Sequence, residues 1–228
     1  MQSDKHFSSH VQVGKQFAQE ATETDIKNEP MFFNCGLKFA YENGGPITRS
    51  FLTPIYNMAP DLKAVFDSRV HMLMPGWFPA IPGFHHDDVP RPPVRPGAHF
   101  ISAGQPDYDN PRYHSIHFMG LVNARVAPTE FAVGECTMPC VPDGELIYRR
   151  WHEEVERLLA NGTLSSFEAP DRHILGFNWQ SFHRGVKARH VGWRWFGRVS
   201  YNTDRVKQVT NEIRRQVQVY LEFPMEGW

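Results

Sequence analysis

With 228 residues, 41% of them hydrophobic, the chain is long enough for one sizeable domain with its own core. Its 24 Lys and Arg against 25 Asp and Glu leave a formal net charge of -1, which creates no field to draw in nucleic acid or an anionic membrane. The 3 cysteines (Cys35, Cys136, Cys140) are too few for a disulfide-stapled secreted scaffold; "MQSDKHFSSH" lacks an apolar signal core, and no apolar run reaches membrane-spanning length. The expectation is a cytoplasmic protein whose partner is a small molecule.

Residues 1–30 are polar and weakly periodic, so they read as an N-terminal arm, with 31–228 as a single domain. "APDLKAVFDSRVHML" predicts a helix, with Pro60 in its first turn and Leu62, Val65, Phe66 and Val70 at roughly helical spacing. Pro90, Pro92, Pro93 and Pro96 make 89–97 a loop, and 98–113 continues it. "SIHFMGLVNARV" alternates with the two-residue period of a strand, and "APTEFAVG" continues the pattern. "DGELIYRRWHEEVERLLANG" predicts a helix: Ile147, Trp151, Val155 and Leu158 share a face, Asp143 can cap the start, and Asn161-Gly162 can end it. "RHILGFNWQSFHRG", "GWRWFGRVSYN" and "RQVQVYLEF" are strand-like again. The composite expectation is a mainly β fold with flanking helices.

Chemistry concentrates in two places. In "GFHHDDVP", His85 with Asp87, or His86 with Asp88, forms a His-x-Asp pair, and on extended backbone residues two apart face the same side and can meet one ion. The spacing alone does not choose between the pairs. His183, in "SFHRG", can add a second imidazole, completing the two-His-one-carboxylate set that suits non-haem Fe(II) by leaving coordination positions open. Ten residues separate His183 from Arg194, and Arg198 follows four further on. If "WRWFGRVS" is a strand, Arg194, Phe196, Arg198 and Ser200 share one face, and inward-facing arginines call for a carboxylate, phosphate or sulfonate partner.

This pattern, over roughly residues 80–200, resembles the Fe(II)/2-oxoglutarate-dependent oxygenase superfamily. The His-to-Arg interval is similar to that of taurine-dioxygenase-like and phytanoyl-CoA-hydroxylase-like members. The resemblance implies a double-stranded β-helix (jelly-roll, cupin-like) core. In that family an aromatic or apolar residue commonly precedes the metal pair, and Phe84 stands before His85. The implied metal ligands are therefore His85, Asp87 and His183. Arg194 is the implied clamp for the distal carboxylate of 2-oxoglutarate, Thr129 its helper, and Arg198 the residue facing substrate. The implied cofactors are Fe(II), 2-oxoglutarate as co-substrate and O2. The implied reaction is hydroxylation of a C–H bond in a small or nucleotide-like polar substrate, with release of succinate and CO2. The loop at 89–113 is expected to form the rim or lid over that substrate.

Two other functions remain open on the sequence: a non-catalytic jelly-roll binding module, and a cupin-type hydrolase or isomerase holding zinc or manganese at the same residues. "CTMPC" has no second Cys/His pair to complete a structural zinc site, so Cys136 and Cys140 read as loop residues. In "WHEEVE" the position four after His152 is Glu156, so His152 reads as a helix-surface residue and not as part of a zinc-protease motif. His114 and His117 fall on opposite faces of the expected strand and read as packing or rim residues.

Overall fold

The computed structural model describes residues 4–18, 20–59, 61–89, 106, 108–141 and 147–221. The elements in chain order are β1 (Lys5–Ser9), β2 (Val11–Gln16), α1 (Glu23–Lys27), β3 (Met31–Phe33), β4 (Cys35–Gly36), α2 (Leu37–Asn43), α3 (Pro46–Met58), β5 (Ala64–Leu73) and β6 (Ile116–Val122). They continue with β7 (Thr129–Met138), α4 (Ile147–Ala160), β8 (Ser165–Glu168), β9 (His173–Asn178), β10 (Phe182–Gly185), β11 (Gly192–Tyr201) and β12 (Glu212–Arg214). No described helix is long and apolar enough to cross a membrane.

A six-stranded sheet runs β2-β9-β6-β11-β5-β4, and a second sheet joins β1, β8 and β10 to β7. All pairings are antiparallel. From β5 onward the chain alternates between the sheets. It passes to the second sheet at His85, which bridges His183 of β10, and returns for β6. It then crosses to β7 and β8, returns for β9, crosses to β10 and ends in β11, which is seated between β5 and β6. That alternation is the double-stranded β-helix, with flanking helices as expected from the sequence.

Apolar clusters fill the layers. Phe51, Leu52 and Ile55 of α3 pack on Phe66 and Val70 of β5 and on Trp195 and Val199 of β11, covering the outside of the larger sheet. Trp151, Val155 and Leu158 of α4 pack on Phe7, Ala132 and Phe182 against the smaller sheet. Met119, Leu121, Phe131, Leu175 and Phe177 join strands of both sheets and form the interior. Burial of each such side chain contributes about 1.5–3 kcal/mol. The period-two pattern therefore sends Trp195 and Val199 to the helices while Arg194, Phe196 and Arg198 face the interior.

Several local expectations are corrected. The segment read as a helix from 60 onward is β5, a strand paired with β11 from Ala64↔Tyr201 to Leu73↔Gly192. The apolar residues that mimic helical spacing there are rich in β-branched and aromatic types, and ten backbone pairings outweigh the local pattern. Pro60 lies outside the described residues. Within the polar arm, β1 pairs with β7 and β2 with β9, so its first part is built into both sheets. Helices α2 and α3 were not anticipated. Pro46 at the start of α3 and the buried Ile47, Phe51, Leu52 and Ile55 are a helical signal, which Pro54 inside the helix obscures. Cys136 lies buried in β7, not in a loop. The expected α4 is present, ending at Asn161 and at Gly162 with φ +79°; Asp143 and most of the expected lid at 89–113 lie outside the described residues.

Candidate metal centre

The two ligand segments meet through backbone. His85 N–H donates to the His183 carbonyl at 3.1 Å, and His183 N–H donates to the His85 carbonyl at 3.2 Å. This bridge extends β10 by one strand partner and sets both imidazoles on the same side, with ring centroids 4.7 Å apart. Asp87, two residues on, returns to that side, and Asp88 adopts φ 58°, a left-handed conformation that Asp tolerates and that turns the chain away. One ligand atom from each of His85, Asp87 and His183 lies within 4.8 Å of the others.

Both imidazoles are held in a defined orientation. His85 Nδ1 lies 2.8 Å from the Gly83 carbonyl and His183 Nδ1 2.9 Å from the Ser181 carbonyl, and a carbonyl can only accept. Each Nδ1 therefore carries a proton and donates to backbone, which aims each Nε2 inward, an arrangement that orients metal-binding histidines. His183 Nε2 lies 2.9 Å from Asp87 Oδ2, and His85 Nε2 lies 3.9 Å from Asp87 Oδ1. These two ring nitrogens and the carboxylate frame one position, where a cation would be balanced by the carboxylate charge. Two nitrogens and one carboxylate suit a divalent transition metal such as Fe(II).

Electrostatics keep these groups ready to bind a metal. Burial, with the neighbouring His183, lowers the His85 pKa to about 4, so its imidazole is neutral at pH 7. Burial alone would raise the Asp87 carboxyl, but the Arg198 guanidinium and His183 outweigh it and hold the group well below the usual carboxylate range. Arg198 Nη1 donates to Asp87 and its Nη2 lies 3.8 Å from Asp67. Arg205 donates to Asp67 at 2.6 Å and lies 3.5 Å from Asp88. His86 faces the other way: its Nδ1 meets the Tyr108 hydroxyl at 2.8 Å and its ring sits 3.9 Å from that of Phe182 in the cluster under α4. His152 is half-buried and its Nδ1 accepts from the Phe84 N–H at 3.4 Å, so it supports the backbone before the ligands and is not a surface residue.

The three groups line a cavity of about 440 Å³ between the sheets. Arg194 and Thr129 line the same cavity, with Arg194 Nη2 3.2 Å from Thr129 Oγ1. Arg194 is 2% exposed, its Nε has no partner, and no carboxylate pairs with it among the described residues. Burial lowers its pKa to about 9. Arg198 also lines the cavity but is engaged with Asp87 and Asp67, so its immediate partners are protein carboxylates. His117 is buried between Ser115 and Ser200, which contact its two ring nitrogens at 2.9 and 2.8 Å, and is a satisfied packing residue.

Sequence reasoning missed one wall. Asp67, Arg69 and His71 of β5 face the cavity, a period-two signal in "FDSRVHM" that the helical reading concealed. His71, opposite Arg194 across the β5–β11 pair, is buried, and neither ring nitrogen has a hydrogen-bond partner among the described residues. Burial and the nearby Arg194 and Arg69 charges push its pKa down to about 3. The end of β12 and the segment after it border the cavity: Arg214, Gln216, Gln218 and Tyr220 line it, and Tyr220 bridges Phe78.

No family model and no curated protein matches the chain. Among solved structures, the chain is similar to HygX from Streptomyces hygroscopicus with iron bound, at 12% identity and TM-score 0.40, covering 86% of this chain and 83% of that one. The apo form of HygX gives 11% identity and TM-score 0.40 over the same shares, 86% and 83%. HygX with nickel and 2-oxoglutarate bound gives 14% identity and TM-score 0.32, over 68% of this chain and 62% of that one. At these scores, the site is read from this chain's own residues.

Proposed function

We propose that the protein is an Fe(II)/2-oxoglutarate-dependent dioxygenase that hydroxylates a C–H bond of a small or nucleotide-like polar substrate. The observation that carries this reading is the pairing, in one cavity, of a converging His85/Asp87/His183 acceptor set with Arg194, a buried guanidinium that has no carboxylate partner among the described residues. A buried cation of this kind is costly unless an anion meets it, and its planar fork fits a carboxylate.

Bound iron, with 2-oxoglutarate and O2, supplies an oxidant for unactivated C–H bonds and releases succinate and CO2. The chain's own residues do the rest. His85, Asp87 and His183 would hold the metal, a donor set that leaves coordination positions for other ligands. Arg194 and Thr129 take the distal carboxylate of the co-substrate, and His71 stands beside them as a neutral imidazole able to donate one further N–H. Phe177, Met119 and Phe196 give the cavity apolar walls that keep bulk water from the reacting centre. Arg198 serves Asp87 first and substrate second, through the part of its guanidinium that lines the cavity.

The test is anaerobic addition of 2-oxoglutarate to Fe(II)-loaded protein. A weak visible charge-transfer band is expected, absent in His183→Ala and weakened in Arg194→Ala. Tight zinc or manganese binding with no response to 2-oxoglutarate would replace this reading with a cupin-type hydrolase or isomerase. Absence of any metal binding would leave a jelly-roll binding module.

A further inference from the structure

Six arginines line the cavity, and their partners divide them. Arg184 meets Glu130 and Glu156, Arg198 meets Asp87 and Asp67, Arg205 meets Asp67 and Asp88, and Arg214 meets Glu212. Arg194 and Arg69 have no carboxylate partner among the described residues. The proposed function gives Arg194 the co-substrate; it leaves Arg69, which feels the Asp67 charge but forms no ion pair among the described residues, without a ligand.

Arg69 is held in place by protein carbonyls. One Nη donates to the Phe32 carbonyl at 3.0 Å and to that of Ser68 at 2.8 Å, and the rest of the fork makes no hydrogen bond among the described residues. The Phe33 ring carries it together with Arg214, their Cζ atoms 5.6 and 3.5 Å from the ring centroid. Two guanidinia on one ring repel each other, and an oxyanion bound beside them offsets that repulsion with charge-assisted hydrogen bonds. Gln216 and Gln218, on the segment bordering the same cavity, add amide donors of no charge.

We propose that Arg69, with Arg214 and the glutamine-bearing segment, forms a second oxyanion site in the cavity, and that the substrate is an organic anion anchored there by its carboxylate, phosphate or sulfonate. This rests on the oxygenase reading for the word substrate, but the site itself is defined by residues that the metal centre and Arg194 do not use. Two separated guanidinia then sort two anions: the co-substrate goes to Arg194 and the substrate to Arg69.

The experiment is calorimetric titration of phenyl phosphate, benzenesulfonate and benzoate, with benzyl alcohol as the neutral control, into protein with and without saturating Ni(II) and 2-oxoglutarate. At least one oxyanion is expected to bind with one-to-one stoichiometry when 2-oxoglutarate is already bound. Arg69→Gln should weaken that binding on the order of 10-fold or more, and leave 2-oxoglutarate affinity within about 3-fold. Arg69→Lys, which keeps the charge but loses the fork, should fall between and provides the comparison if the Gln variant folds poorly. Equal affinity in the wild type and both variants, or no saturable oxyanion binding by the wild type, overturns the site. Failure of the Ni(II) and 2-oxoglutarate titration alone overturns the metal-centre reading, while the oxyanion titrations still report on Arg69.

Discussion

Arg194 and Arg198 stand on the same face of β11, four residues apart, and both line the cavity, yet their surroundings are opposite. Around Arg198 gather Asp67, Asp87 and Asp88, which raise its pKa despite burial. Around Arg194 there is Thr129, a neutral His71 and, among the described residues, no carboxylate, so burial alone lowers its pKa to about 9. One strand thus carries a cation enclosed by carboxylates and a cation with none among the described residues. The lesson is that an inward arginine reveals its role through its counterions, not through its position on the strand.

The sharpest way to break this contrast is to remove each charge separately in metal-free protein and measure urea unfolding. Arg198→Met strips Asp87 of its principal partner and should destabilise by about 3–5 kcal/mol. Arg194→Met removes a cation that no carboxylate balances among the described residues, and should leave stability unchanged or raise it by about 1 kcal/mol while 2-oxoglutarate binding is weakened. Similar losses in both variants would show that the two sites are not electrostatically distinct.

A second comparison sets His85 against His86. His85→Ala should lower Ni(II) affinity on the order of 100-fold, since losing even an outer-shell support costs 10–100-fold, while His86→Phe should change it by less than about 3-fold. Isothermal titration separates the two, and a larger loss at His86 would reverse the assignment of the pair.

The smallest effect concerns the Arg194 end. The folded pKa of His71, about 3, lies below the usual histidine value, and Arg194 and Arg69 are the charges facing it. Its contribution to stability is therefore complete above about pH 6.5 and is lost as pH falls toward the folded value. In His71→Asn, the slope of unfolding free energy against pH below about 6.5 should be smaller by up to about 1.4 kcal/mol per pH unit. An unchanged slope would mean that His71 is protonated in the folded protein.

Much of the site could be read locally. The His-x-Asp spacing, the ten-residue gap before Arg194 and the alternation of "WRWFGRVS" each depend on neighbours within one segment, where side-chain direction follows from backbone period. The β5 wall could not be read so easily, because Val65, Phe66 and Val70 satisfy helical and extended patterns alike. Its conformation is decided by β11, brought alongside from more than a hundred positions further along the chain, and by β4 on its other edge. The same holds for Arg69 and His71, which become cavity residues only once that pairing exists.

The sequence by itself determined a β-rich chain with flanking helices and a set of candidate ligands, since alternation, turn residues and donor chemistry are properties of the residues and their immediate spacing. Only the tertiary structure decided which imidazole of "HHDD" turns inward, that Arg198 meets Asp87, and that Arg194 and Arg69 meet no carboxylate among the described residues. Those outcomes depend on which distant segments share a cavity, and a charge acquires its counterion, or goes without one, only when the sheets close.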